Sequence, residues 1–417
     1  MAGSTGFYRL ADGELGCDGV RLAEIANRAG TPVYVYSAAT VRERYSAIDS
    51  AFGDYPHAIH YALKANSTLA IARLVRELGG AADANSIWEL ELARKAGFAP
   101  SEIVFTGVGK SLVELECAVP IGVKAINVES AGELSRVEAI AQRAGVVARV
   151  ALRVNPDIDA KSHPHISTGL KINKFGIPVD RARQVFGTIA SRPALRLVAL
   201  HVHVGSQITS TDPLRRAAAV VARLTQELRA AGTELEYVDL GGGLGIPYDG
   251  RDVPSVHAYV GALVDEVRAT GLPIVVEPGR AIAGPAGVLV ARVIDIKPRT
   301  DSTQFVVIDA GMTELMRPAL YNAFHQIEPV LRREAGVHHY EIVGPVCESS
   351  DVVGRDRRLP PLEVGDLLAI RDAGAYGSAM ASNYNRRPIP VEVLVDGGAW
   401  RVIRRRQTLE DMTAQET

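Results

Sequence analysis

From about Ala58 to Arg280, short apolar runs alternate with helix-like stretches. The runs are Ala58–Lys64, Ala81–Asn85, Ile103–Gly107, Ala125–Glu129, Val150–Asn155, Leu197–Ser206, Tyr237–Gly243 and Pro273–Arg280. Between them lie segments rich in Ala, Leu, Glu and Arg, such as Ile87–Ala96, Ala131–Ala144, Val179–Ala190 and Pro213–Ala231. Continuous apolar runs read as strands buried on both faces, and their alternation with helices reads as parallel β-α units. Eight such units predict an α/β fold, a TIM-like (β/α)8 barrel over residues 37–282. The competing arrangement is an open, doubly wound sheet. Lys64, His203, Gly243 and Glu277 all fall at or just past the C-terminal ends of runs. In a barrel those ends share one face and converge on one site, whereas an open sheet spreads them along a line. The barrel is therefore the expected architecture.

After Pro285 the pattern changes. Gly287–Ile296, Gln304–Asp309, His338–Val343, Leu367–Arg371, Pro390–Val395 and Ala399–Arg404 read as strands, with a helical stretch only near Arg317–Phe324. The expectation is a mostly β C-terminal domain over 283–417. The N-terminal segment 1–36 holds Phe7–Leu10 and Val33–Tyr36, which are expected to add strands to that domain. The polar tail Thr408–Thr417 is expected to be partly disordered.

A chain of 417 residues has room for two domains and a large core. Its net charge of −2 gives no basic field to attract nucleic acid. The three cysteines, Cys17, Cys117 and Cys347, are too few and too widely spaced for a disulfide framework or a zinc site. No basic stretch leads into an apolar run at the N-terminus, and no uncharged segment reaches the roughly 18–20 residues that span a bilayer. A cytoplasmic protein without membrane or nucleic-acid partners is expected.

Several residues carry candidate chemistry. A lone lysine at a strand end is usually a solvated charge, but Lys64 follows the apolar Tyr61-Ala62-Leu63 and is expected to emerge from a barrel core. Burial makes such an amine available to attack a carbonyl. Gly241-Gly242-Gly243 follows a strand, where glycines let several backbone N–H groups turn toward an anion. A tight turn would use the same residues. The run lacks both the P-loop lysine and the spacing of a dinucleotide fingerprint. Glu277 follows Ile274-Val275-Val276 and precedes Pro278-Gly279-Arg280. It reads either as a rim Glu–Arg pair or as a carboxylate that keeps a bound pyridine nitrogen protonated. His201 and His203 are placed by period two on one strand face. No third ligand has recognisable spacing, so no metal is expected and a ring stacked on a cofactor suits His203 better. Gly344–Ser349 contains Cys347 and Glu348 in a polar turn. Arg317 and Tyr321 share a face if their segment is helical, a pairing suited to a substrate carboxylate.

Taken together, these segments resemble the fold-type III pyridoxal phosphate-dependent decarboxylases. The motifs are Tyr61–Asn66, His201–Ser206, Gly241–Gly243, Glu277–Arg280 and Ala375–Gly377. His165–Gly169 with Lys174–Gly176, Leu320–His325 and Pro345–Ser349 resemble the branch that forms L-lysine and CO2 from meso-2,6-diaminopimelate, the last step of lysine synthesis. The resemblance covers nearly the whole chain. One departure is Ile87-Trp88, where the family commonly has glycines.

The resemblance implies residue roles. Lys64 would carry pyridoxal 5'-phosphate covalently, and His203 would stack on its ring. Ser206, Gly243 and the Pro278-Gly279-Arg280 turn would hold the phosphate, and Glu277 would pair with the ring nitrogen. Tyr376 would sit near phosphate and substrate. Arg280, Arg317 and Tyr321 would bind the substrate's distal carboxylate, and Glu348 its distal ammonium. Cys347 would donate the proton that replaces CO2. The family supplies Cys347 and Glu348 from a partner subunit, which implies a homodimer with shared active sites. The segment Asn155–Gly176 is expected to form a loop partly covering the site.

Three other readings share some of these features. A decarboxylase for arginine or ornithine would have no distal carboxylate for Arg280 and Arg317 to bind. An alanine-racemase-like enzyme would use a tyrosine where Cys347 stands. A cofactor-carrier protein would be a single barrel without the β domain.

Overall fold

Buried, branched and aromatic runs separated by capped helices leave this chain few ways to pair its strands. The computed structural model describes residues 6–159, 168–170, 173–189, 191–299, 303–332 and 336–417. They form two compact units, one of Arg44–Ile246 and Asp252–Ala281, the other of Met1–Glu43, Pro247–Arg251 and Ile282–Thr417.

The first unit is a closed barrel of eight parallel strands: β1 (His57–Ala62), β2 (Ala81–Ala84), β3 (Ile103–Phe105), β4 (Ala125–Val128), β5 (Ala148–Asn155), β6 (Leu195–His201), β7 (Tyr237–Asp239) and β8 (Ile274–Val276). Each strand pairs with the next, and β8 pairs with β1 through Val276 and Ile59 to close the ring. A short strand, Ile177–Pro178, pairs with the end of β5. Helices such as Ile87–Ala96, Ala131–Ala144 and Asp212–Ala230 follow β2, β4 and β6. Their ends are written in the sequence. Ser86, Ser111 and Ser130 each accept the backbone N–H of a glutamate three residues on, and Gly97, Gly122 and Gly145 close the helices with a left-handed residue. Trp88 is 78% exposed, so the departure at Ile87-Trp88 sends its bulk into solvent and leaves the strand end undisturbed.

The barrel strands are apolar along their length because each is buried on both faces. The exceptions are polar residues near strand ends, and His60 is one of them. It is fully buried, and its Nδ1 lies 3.3 Å from the carbonyl of Ala82. Burial pushes its imidazole down to about 4 from the ordinary 6.5. The folded state therefore prefers the neutral ring. That preference contributes stability in full above pH 6.5 and is lost as pH falls toward 4. In His60→Gln the wild-type advantage in unfolding free energy is expected to shrink across that window. A gap that stays constant with pH would refute the assignment.

The second unit is built on a sheet in the spatial order Val352–Leu359, His338–Val343, Gln304–Ile308, Gly287–Pro298, Val33–Ser37, Val391–Asp396, Ala399–Arg404. Leu367–Ile370 also pairs with Gly287–Pro298 and with Ile327–Pro329. Val33–Ser37 lies inside this sheet, antiparallel to Gly287–Val290 and parallel to Val391–Val395. Its core packs Val33 and Val35 with Val288, Val290, Val393 and Val395.

Four details differ from expectation. Phe7–Arg9 lies in this unit, but outside its main sheet: it pairs with Leu15–Cys17 in a separate three-stranded one. Val352–Leu359 is a strand that apolar patterning misses, because Arg355, Asp356 and Arg358 break the alternation. The tail is ordered. Thr408 and Asp411 form a capping box that starts a helix at Leu409–Thr413, and Asp411 also pairs with Arg405. The sixth strand stops at His201, so His203 lies beyond it and the period-two argument does not reach it.

Candidate active site

The C-terminal end of β1 runs into a single 3-10 turn, Leu63–Ala65, which presents Lys64. Register sets Ala62 beside Asp83 at the end of β2. Lys64 Nζ lies 2.7 Å from Asp83 Oδ2, and Asn85 Nδ2 donates to the same oxygen at 3.1 Å. Burial alone would raise the Asp83 carboxyl. The charge and hydrogen bonds of Lys64 and its neighbours outweigh that and hold it at about 2. Lys64 itself keeps a side-chain exposure of 35%, so its amine is paired yet reachable.

His203 follows β6. The backbone N–H of Gly242 donates to its Nδ1 at 3.1 Å, so that nitrogen carries a lone pair and the proton belongs on Nε2. Burial, and next the charge of Lys64, lower its pKa and keep the ring neutral.

Gly241 and Gly243 adopt φ of +64° and +114°. A Cβ on Gly243 would meet Ile208 Cδ1 at 2.8 Å and the Gly205 carbonyl at 2.9 Å. No side chain fits there, which lets a ligand come close to the Gly243 backbone, while the N–H groups of Gly241 and Gly242 are held by Asp239 and His203. Arg280 donates from Nη2 to Ser206 Oγ at 3.0 Å, which gathers a guanidinium and a hydroxyl. The turn before it crosses the Lys64 turn closely. The Pro278 carbonyl accepts from Ala62, and a Cβ on Gly279 would lie 2.8 Å from Ala65 Cβ.

Glu277 stands one residue past β8 with its backbone tied to Gly241, its N–H donating to the Gly241 carbonyl at 2.8 Å. Its side chain is buried, with Oε2 3.3 Å from His201 Nε2 and Oε1 unpartnered. Burial first, then the charge of Asp83, raises its pKa. Ligand atoms of His201, Asp239 and Glu277 lie within 4.8 Å of one another, a set the spacing argument for metals did not bring out.

These residues fit pyridoxal phosphate. A reachable amine, a neutral ring, backbone donors beside a serine–arginine pair, and a buried carboxylate with an open lone pair are the groups it needs.

Asp83, Asn85 and the buried ion pair of Arg153 with Glu129, at 2.5 Å, were not singled out from the sequence. Their signal was a polar residue at or just past the C-terminal end of an apolar run. A cavity of about 310 Å³ opens beside them, lined by Asn85, Gly107, Lys110, Glu114, Arg153 and Phe175. It shares Asn85 with the lysine cluster but does not include Lys64.

The remaining candidates belong to the second unit. Arg317 and Tyr321 lie on one short helix, Arg317–Tyr321. Arg317 is buried, its guanidinium 4.4 Å above the Tyr248 ring and 2.7 Å from His325 Nε2. His325 Nδ1 lies 2.7 Å from the Arg371 carbonyl, which assigns Nδ1 as donor and Nε2 as the acceptor of Arg317. Tyr376 adopts a left-handed φ of +57°. Cys347 and Glu348 are exposed. Their turn is pinned by Asp351, which accepts from Met312 and Val346, and by Asn385, which accepts from the Cys347 N–H at 3.0 Å. Of the 155–176 segment, His165, Ile166 and Ser167 lie outside the described residues.

Residues 38–284 match the family model for the pyridoxal-binding domain of pyridoxal-dependent decarboxylases. The chain belongs to that family. Within it, the chain is similar over nearly its whole length to diaminopimelate decarboxylases. The one from Vibrio cholerae serotype O1 is 46% identical over 412 residues, covering 99% of this chain and 98% of that protein. The structure of the Helicobacter pylori enzyme complexed with L-lysine is 41% identical with a TM-score of 0.91, over 94% of this chain and 98% of that one. The M. jannaschii enzyme in co-complex with L-lysine is 37% identical with a TM-score of 0.94, over 100% and 99%.

Proposed function

We propose that this chain decarboxylates meso-2,6-diaminopimelate to L-lysine and CO2, using pyridoxal phosphate, as the last step of lysine synthesis. One observation carries the reading. Lys64, His203, Gly243 and Glu277 gather at one end of a barrel, in a chain alike over its whole length to diaminopimelate decarboxylases.

When bound, the cofactor supplies the electron-accepting ring that loss of CO2 requires. Lys64 holds it through its amine, with Asp83 orienting that amine beforehand. The His203 ring offers a neutral face, and Glu277 offers a carboxylate to the ring nitrogen. Gly243, Ser206 and the Pro278-Gly279-Arg280 turn would hold the phosphate, the N–H groups of the turn coming from Gly279 and Arg280, and Tyr376 would complete the cofactor and substrate site. Arg280, Arg317 and Tyr321 would hold the distal carboxylate and Glu348 the distal ammonium, fixing the orientation in which the substrate is presented. Cys347 Sγ delivers a proton to the carbon that loses CO2.

Cys347 and Glu348 are exposed on a pinned turn, which suits delivery to a second copy of the chain. The active unit in this reading is a homodimer. Residues 37–282 serve as the cofactor-binding barrel and 283–417 as the β domain, with 1–36 contributing to it. No helix among the described residues is long and apolar enough to cross a membrane, and we place the enzyme in the cytoplasm.

The test incubates protein and cofactor with meso-diaminopimelate, L-ornithine or L-arginine, and assays CO2 and L-lysine. Lysine from diaminopimelate alone is expected. Turnover of ornithine or arginine instead would overturn the roles of Arg280, Arg317 and Glu348. For Glu348→Ala, KM is expected to rise about ten- to a hundredfold, the cost of one charged hydrogen bond, with cofactor absorbance unchanged. An unchanged KM would remove Glu348 from the substrate site.

A further inference from the structure

The ends of β6, β7 and β8 bring His201, Asp239 and Glu277 together, and register sets His201 directly beside Asp239. All three are buried, at 0%, 0% and 4% exposure. Among the described residues no lysine or arginine forms an ion pair with Asp239 or Glu277. The charges that reach Asp239 or Glu277 from a distance are those of Lys64, Asp83, Lys124 and Arg153. His201 cannot supply the missing positive charge, since burial pushes its ring down to about 4.

Two carboxyl groups this close, in so dry a place, cannot both ionise. The unpartnered atoms show where the retained proton fits. Asp239 Oδ1 accepts the Gly241 N–H at 3.0 Å, while Asp239 Oδ2 has no partner. Glu277 Oε2 faces His201 Nε2, while Glu277 Oε1 has no partner. The Asp239 and Glu277 side chains are within hydrogen-bonding reach of one another, and two bare acceptors left there would each cost the full desolvation of a buried polar atom. One proton between them satisfies both.

It belongs on Asp239. Burial, and then a neighbouring carboxylate, disfavours ionisation of both groups, but Glu277 has more to offset it: the imidazole N–H on its other oxygen and the charges of Lys64 and Arg153. Asp239 has a single backbone N–H, and its acidity is pushed far down by burial and then by Glu277.

We infer that Asp239 is a neutral carboxylic acid that positions Glu277, donating from Oδ2 to hold the Glu277 carboxylate ionised and aimed at the bound ring nitrogen. This rests on the proposed role of Glu277. Asp239 is 0% exposed, so it acts only through its neighbour. It also ties that carboxylate to the phosphate cradle, because its other oxygen fixes Gly241.

Infrared difference spectroscopy of the holoenzyme tests it. Wild type minus Asp239→Asn at neutral pH should show the carbonyl stretch of one protonated carboxylic acid, shifting on exchange into D2O. Loading with cofactor labelled at the ring nitrogen with 15N gives a second readout. The protonated-nitrogen signal should move in Asp239→Ala and return toward wild type in Asp239→Asn, whose amide can still donate. Kinetically, Asp239→Ala should lose about ten- to a hundredfold in kcat with KM little changed, and Asn should restore most of it.

No acid band in wild type would overturn the inference, as it would if a divalent cation held both carboxylates ionised. So would an Asn variant as impaired as Ala. An acid band together with a ring-nitrogen signal unmoved in both Asp239→Ala and Glu277→Gln would locate the failure in the role of Glu277, and the inference would fall with it.

Discussion

Lys64→Arg is expected to fold with near-native thermal stability and to lose essentially all turnover, at least about a thousandfold in kcat. Guanidinium keeps the positive charge that Asp83 needs, but it does not deprotonate and cannot form the covalent link that an amine forms. The comparison with Lys64→Ala separates two losses. Alanine removes the amine and also leaves Asp83, 0% exposed, without its cation. Stability should therefore drop in Ala and hold in Arg, while both variants lack the visible absorbance of lysine-linked cofactor. Measured turnover in either variant would sink the assignment of Lys64.

Glu277→Gln should lower kcat roughly a hundred- to a thousandfold while the cofactor remains bound. Glutamine matches glutamate in size but cannot stabilise a charged ring nitrogen. Lys64 and the donors around Gly243, Ser206 and Arg280 are untouched, so cofactor affinity should change far less than rate. A kcat within about threefold of wild type would show that Glu277 is a structural partner of His201 and nothing more.

Much of this was legible in the sequence, and the reasons are local. The eight runs predicted the barrel strands because burial on both faces leaves an unbroken apolar signature. Lys64, Glu277 and the Gly241–Gly243 turn stood out because each interrupts such a signature at its end. Asp83 sits in the same kind of place, but a single aspartate among alanines carries no chemistry until Lys64 is seen 2.7 Å away. Asp239 is likewise unremarkable beside Leu240, and its meaning depends on two other strand ends. The strand at Val352–Leu359 was hidden by Arg355, Asp356 and Arg358, and the tail helix by a polarity that is in fact a capping box. Pairwise relations between distant segments are what one-dimensional patterning leaves out.

The seam between β8 and β1 has a consequence for how the enzyme is made. Lys64 and Glu277 stand just past the ends of adjacent strands, yet about half the chain separates them in sequence. A nascent chain emerging from the ribosome holds the lysine early and receives the glutamate, Gly279 and Arg280 only when the last barrel strand arrives. On the proposed site, high-affinity cofactor capture would wait for ring closure, and captured cofactor would in turn stabilise the closed ring by mass action. Vitamin supply would set the yield of folded enzyme as well as its activity.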